Sequence, residues 1–321
     1  MLSLRILALF LSFLSPLVSA QARCQYYPLR NFADLFIEAQ TFGELDPSFT
    51  ISPSNFTFLQ NGKLTMPSAS TLVTPLEIDL EITLIDQTNC AIYTEWIIAD
   101  PKNPHVIGAQ IHFGFRDSEA VGLEVNRIEL LKASTSLGTW SFNASATLGY
   151  ARGETWEATA QTERTPREGL LGAADSFLRW LAEEGNSTEA VPFRTPCSRL
   201  EGGQYDAEAC GGFKAAGKGV LAAEKRYVVD EVSGGVSVMF EPEGSGTVES
   251  YMLRVEGGKL RNAVHYIAEG QPEDGGVEEY NSLAAALLGV LPALRSLQIS
   301  LVGVPIDHGK PEDVDLIEVL L

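Results

Sequence analysis

The chain has 321 residues, 45% of them hydrophobic, and a mean hydropathy of +0.04. That is the composition of a globular protein and excludes a disordered, collagen-like or multi-span membrane chain. Lys plus Arg number 23 against 42 Asp plus Glu, a net charge of −19 with no compact basic patch, so nucleic acid and anionic membrane surfaces are not expected as partners.

Residues 1–20, MLSLRILALFLSFLSPLVSA, read as a secretory signal peptide: Arg5, an apolar core from Ile6 to Leu14, then Pro16 and a small-x-small ending, for which both Val18-Ser19-Ala20 and Ala20-Gln21-Ala22 fit. The competing reading, an uncleaved anchor, has an apolar core too short to span comfortably. A secreted, extracellular chain is therefore expected. In an oxidising compartment Cys24, Cys90, Cys197 and Cys210 imply two disulfides, for which three pairings exist. A zinc site would need knuckle spacing or a histidine pair, and neither is present, so no metal is expected. Sequons at Asn55, Asn143 and Asn186 predict glycans wherever they are exposed in a eukaryotic secreted protein.

The chain then repeats itself at an offset of 141 residues. Ala33, Asp34 and Phe36 map onto Ala174, Asp175 and Phe177, and 58-FLQNGK-63 overlays 199-RLEGGQ-204. A constant offset across separated blocks argues for two copies of one unit. Copy one opens with a helix over about 29–41 (Phe32, Leu35, Phe36 and Ala39 at helical spacing). Strands are expected at 55–59, 76–85, 91–99, 106–115 and 124–132. Copy two opens with a helix over about 167–184, and strands are expected at 197–200, 226–232, 235–240, 250–255 and 260–267. Gly234-Gly235 and Gly257-Gly258 mark tight turns. Residues 133–166, with Trp140, Phe142, Tyr150 and Trp156, are too aromatic for a free linker and predict an extra strand or an ordered connector.

The domain plan is thus a signal peptide (1–20), a first domain (23–132), a connector (133–166), a second domain (167–268) and a tail (269–321). The break between copies selects the pairing Cys24–Cys90 with Cys197–Cys210. The tail carries a long apolar stretch, 282–304, interrupted by Pro292 and Arg295, and an acidic end. A spanning helix, an added amphipathic helix and a poorly ordered end all remain open, whereas a lipid-anchor signal would need the apolar stretch at the terminus.

A leading Ala-Asp-x-Phe helix, a short strand ending in a Gly turn, and a bent sheet resemble the nuclear transport factor 2-like, or SnoaL-like, cone fold. More narrowly, 193-FRTPCSRLEGGQY-205, 225-KRYVVDEVSGGVSV-238 and 250-SYMLRVEGGKLR-261 resemble an uncharacterised family of secreted fungal proteins in that superfamily, over roughly residues 25–268. The fold implied is α+β, two tandem cone-shaped domains, each a helix packed on a curved antiparallel sheet. The resemblance also implies apolar pockets and an internal pairing of the two domains.

Candidate chemistry follows from that plan. Asp34 and Asp175 stand where the resemblance puts a pocket aspartate, although Phe36 and Phe177 replace the superfamily's tyrosine. A buried carboxylate opposite a neutral imidazole would form an acid/base pair, so Asp34 with His112, and Asp175 with His265, are the candidate catalytic residues. The alternative is that each aspartate faces solvent or pairs locally. His105 belongs to a turn, and His308 lies in the tail. Arg199 and Glu201 share one strand face and either bind a polar ligand group or pair with each other. Tyr205 and Tyr227 line the pocket or are ordinary sheet aromatics. No nucleophile elbow, phosphate loop, zinc-protease motif or dinucleotide fingerprint occurs, so no cofactor is expected. The expected function is binding of a small apolar molecule, with cofactor-free isomerase, dehydratase or cyclase chemistry. The alternative is a non-catalytic, effector-like interaction protein with filled cones and an exposed apolar patch.

Overall fold

The structure, a computed structural model, describes residues 24–44, 56–115, 123–137, 140–183, 191–208, 210–211 and 223–269. The predicted signal peptide, Asn55, Asn186, His308 and the tail beyond 269 lie outside the described residues.

Each half opens on an amphipathic helix. In α1 (Tyr26–Phe42) the residues Leu29, Ala33, Phe36 and Ile37 recur at helical spacing and are buried. The helix ends at Gly43, whose φ of 69° is the left-handed conformation a C-terminal cap needs. In α3 (Arg167–Ala182) the buried residues Leu170, Ala174, Phe177 and Leu178 fall at the same positions, 141 residues on.

The strands are β1 (Thr57–Gln60), β2 (Lys63–Leu64), β3 (Leu80–Asp86), β4 (Ala91–Ile98), β5 (His105–Phe115) and β6 (Leu123–Ala133) in the first half. The second half has β7 (Phe193–Glu201), β8 (Gln204–Asp206), β9 (Arg226–Asp230), β10 (Gly235–Phe240), β11 (Glu249–Glu256) and β12 (Lys259–Ile267). They form two six-stranded sheets of identical topology, β2-β1-β6-β5-β4-β3 and β8-β7-β12-β11-β10-β9. This establishes the α+β class with two similar halves. The sheets are mixed, not antiparallel throughout as expected from sequence: β1 runs parallel to β6, and β7 parallel to β12. The strand after the helix enters the sheet beside the last strand of the meander. The whole meander then acts as the long crossover that parallel neighbours require.

Strand alternation divides the side chains into three buried layers. One face of the first sheet packs Trp96, Ile107, Ile111 and Leu130 against Phe36 of α1. One face of the second packs Val236, Phe240, Tyr251 and Leu253 against Phe177 of α3. The other two faces meet: Leu84, Tyr93, Leu131, Leu200, Met239, Met252, Val264 and Tyr266 form one shared core between the sheets. The order is helix, sheet, sheet, helix.

Charged groups tie the two sheets together. The Asp86 carboxylate, fully buried, accepts two 2.8 Å hydrogen bonds from the Arg167 guanidinium and a 3.0 Å bond from Val229 N. Arg226 reaches Glu129, and Gln110 Nε2 donates to the Arg226 carbonyl at 3.0 Å.

The connector contains a helix where an extra strand was one expectation. Asn143 caps α2 (Ala144–Ala151), its Oδ1 accepting from Ala146 N at 2.9 Å. The β7–β8 turn packs on this connector. Gly202 (φ 57°) sits so close to Ser141 O and the Trp140 ring that a Cβ would collide with both.

The disulfides are Cys24–Cys90 and Cys197–Cys210, each with Cα atoms 5.2 Å apart. The first ties the α1 entrance to the β3–β4 turn, and the second ties β7 to the segment after β8.

Candidate functional site

Because the two sheets share one topology, their registers can be compared position by position. Phe58 pairs with Ile128, and Arg199 pairs with Ala263, so Phe58 and Arg199 occupy the same place. Stepping along the ladders matches Leu130 with His265, Ala109 with Tyr251, and Ile107 with Glu249. Four helix-facing positions that are apolar in the first half are thus Arg, His, Tyr and Glu in the second. The fold does not require polarity there, because its other copy buries hydrocarbon at every one of them.

The four side chains form a single cluster. Arg199 is 0% exposed; its guanidinium lies 5.7 Å from the centre of the Phe177 ring of α3 and donates to Glu201 and to the Cys210 carbonyl. His265 Nε2 is 3.0 Å from Glu249 Oε2, and its ring stacks on Tyr251 with centroids 4.2 Å apart. Its Nδ1 is buried, lies 3.7 Å from Glu201 Oε1, and makes no hydrogen bond among the described residues. Burial pushes the Tyr251 phenol well above the ordinary tyrosine range, with Arg199 pulling down and Glu201 and Glu249 pushing up. Placing such groups between a helix and a sheet is costly unless they are paired, and this set is paired only in part.

In the tautomer that donates Nε2–H to Glu249, the ring lone pair is on Nδ1, the nitrogen without a hydrogen bond among the described residues. An imidazole held in that tautomer can accept a proton there and return it. Arg199 and Tyr251 supply donors beside it.

The sequence-derived site residues fare unevenly. Arg199, Glu201 and His265 come together. Asp34 and His112 do not. Asp34 is half exposed on α1 and pairs with Arg30 at 2.8 Å, one helical turn away. His112 faces the second sheet, paired in register with Ala91 and surrounded by Arg127, Glu129, Asp86 and Arg226. Burial is the main reason its pKa falls. Strand parity is the cause: Ile111 and Phe113 take the helix-facing side, so His112 takes the other. Asp175 and His265 have different partners: Asp175 accepts a 2.5 Å bond from the Tyr227 hydroxyl at an exposed edge, and His265 meets Glu249 and Glu201. Tyr205 stacks on Tyr150 of α2 at 4.5 Å, on the connector side of the sheet and away from α3. His105 stands at the start of β5, buried, its Nδ1 2.8 Å from Asn103 O.

Glu249 and Tyr251 escaped the sequence reading. The 141-residue offset rests on the helix and on 199-RLEGGQ-204. Their signal in the sequence is 107-IGAQI-111 against 249-ESYML-253, where Glu249 stands for Ile107 and Tyr251 for Ala109.

A helix-covered six-stranded mixed sheet made twice defines a tandem α+β protein. A family described as a domain of unknown function (DUF8021) matches residues 163–267, about a third of the chain. That stretch holds α3, the whole second sheet and every member of the polar cluster. No curated protein matches the chain. Among the described residues no helix is long and apolar enough to cross a membrane, and no group of three or more metal-ligating side chains occurs. The two disulfides fit an oxidising, extracellular-type compartment.

Proposed function

We propose that this is a secreted protein that binds a small organic molecule between the helix and sheet of its second half. Its apolar body would lie against Phe177 and Phe240, and one polar group would meet Arg199, Tyr251 and His265. The observation that supports this is the exchange of Phe58, Ile107, Ala109 and Leu130 for Arg199, Glu249, Tyr251 and His265 at matching positions of two copies of one fold. The chemistry in reach is cofactor-free proton transfer, as in an isomerase, dehydratase or cyclase, with His265 as acid/base. The cone shape and the likeness to secreted fungal members of the SnoaL-like superfamily belong to this reading. The first half, whose matching face is filled with hydrocarbon, serves as its structural partner.

A panel of small aromatic and aliphatic carbonyl compounds, screened by thermal shift, tests the proposal. A compound that stabilises wild type and Asp34→Asn equally, and loses its effect in His265→Gln, supports it. A screen whose hits stabilise His265→Gln and Arg199→Met as well as wild type would refute it. The interaction-protein reading rests on Tyr27 and Phe42, 82% and 64% exposed on α1. It predicts that no compound acts and that Tyr27→Ser/Phe42→Ser alone changes function.

A further inference from the structure

A groove of about 720 Å³ opens on the other side of the second sheet, where the connector runs past the β11–β12 hairpin. It is lined by Thr159, Glu163, Arg194, Arg254, Glu256 and Lys259, with Gly257 at its rim. Arg254 is the unusual member. It is 4% exposed, and among the described residues its Nη atoms donate to uncharged oxygens, the Glu157 carbonyl at 3.0 Å and Thr159 Oγ1 at 3.4 Å. Its Nε is buried without a hydrogen bond among the described residues, 3.5 Å from Glu256 Oε1 in an ion pair. Glu256 is itself engaged by Arg194. Lys259 is exposed and has no ion-pair partner among the described residues.

Among the lining side chains Arg194, Arg254 and Lys259 outnumber Glu163 and Glu256 by one, while Asp230 and Glu157 act on Arg254 from outside the lining. The matching position in the first half is His112, since Ala91 pairs with His112 as Gly235 pairs with Arg254. The guanidinium is therefore peculiar to this half. Its buried Nε edge is the planar fork that a carboxylate or phosphate group matches with two parallel hydrogen bonds.

We propose that this groove is a binding site for a small oxyanion, which docks on the Nε edge of Arg254 with Lys259 as the second cation. Burial is the main reason the Arg254 pKa falls, and the charges of Asp230 and Glu157 oppose the fall. The ligand displaces Glu256 from the Nε edge and supplies the missing acceptor. The site is separate from the cluster under α3.

Isothermal titration of the full chain with inorganic phosphate, and separately with succinate, tests the proposal and tells the two oxyanions apart. The expected result is saturable one-to-one binding of at least one probe. Lys259→Gln weakens it about fivefold and Arg254→Lys about tenfold, while Glu256→Gln, which removes the competing carboxylate, tightens it. Arg199→Met leaves it unchanged, so failure here and failure of the ligand site under α3 are distinguishable. Should Arg254→Lys unfold the protein, the Lys259 and Glu256 variants still decide. No saturable binding of either probe overturns the proposal. So does binding equal in wild type, Lys259→Gln and Glu256→Gln, which means an adventitious ion only.

Discussion

Glu95 offers the sharpest test of how the two sheets are held together. It lies in β4 between the sheets, 1% exposed, and among the described residues its side-chain hydrogen bonds come from two phenols, Tyr93 in its own strand and Tyr266 in the second sheet, at 3.1 and 3.2 Å. No cation pairs with it among the described residues. Burial is the main reason its pKa rises from 4.5 to about 8, and the charge of Glu154 adds to the rise. The folded state therefore keeps a proton that the unfolded chain has released across this window. The resulting stability is fully present below about pH 4.5 and is lost as pH rises to about 8. At about 1.4 kcal/mol per unit the full loss is about 5 kcal/mol. Glu95→Gln keeps the shape and cannot ionise. It should be about 1 kcal/mol less stable than wild type at pH 5, where one phenol loses a good acceptor, and several kcal/mol more stable at pH 9. Urea unfolding of both proteins from pH 5 to 9 measures the difference. His105 and His112, whose lowered pKa values act in the opposite direction on the acid side, cancel in that comparison. A wild-type-minus-variant difference that stays flat across pH 5–9 would refute the reasoning.

Three further outcomes are expected. Asp86→Ala leaves the Arg167 guanidinium and Val229 N without their shared acceptor. It should cost about 3–5 kcal/mol in chemical denaturation, and a cost below about 1 would show the bridge to be dispensable. Importing first-half residues through Arg199→Phe, Glu201→Gln, Glu249→Ile and His265→Leu should leave stability unchanged or raise it by about 1–4 kcal/mol, because a buried polar set gives way to hydrocarbon. A large loss would mean the cluster is a structural necessity. Removing Cys24–Cys90, which closes 66 residues, should cost about 4 kcal/mol, and removing Cys197–Cys210, which closes 13, about 3, as measured on the Cys→Ser pairs.

Much of the fold was legible because it rests on local periodicity. Leu29, Ala33 and Phe36 announce α1 through their spacing, and 235-GVSVMF-240 is bounded by a glycine turn that fixes where β10 begins. The parallel pairing of β1 with β6 was not legible, since the pairing of strands about 70 residues apart leaves no mark on either strand's own pattern. Parity explains the uneven site. Arg199 and Glu201 are two residues apart on one strand, so their common face is fixed by geometry. His112 and Asp34 sit on different elements, and which face of β5 meets α1 is decided by Phe113 and Ile111, not by the histidine. Glu95 is hidden for a related reason. Within 91-AIYTEWII-98 nothing tells which face another sheet will cover, and it is the second sheet that makes Glu95 a buried acid.

The arrangement also explains why a duplicated fold tolerates a polar cluster in only one of its copies. The shared core joins Leu84, Tyr93 and Leu131 of the first sheet to Met239, Met252 and Val264 of the second, so neither half has to stabilise itself alone. The first half fills its helix-facing layer with Phe36, Trp96, Ile107 and Leu130 and gains the full hydrophobic return of that burial. The second half gives up part of the same return at Arg199, Glu249 and His265, which stand where hydrocarbon would fit. Cooperative unfolding spreads that local cost over both halves, so the cluster can persist at a stability the second half could not supply by itself. Cutting the chain in the connector should therefore leave a second half that is far less stable than the intact protein. The imported first-half residues should then restore it by a margin as large as the one they give the full chain.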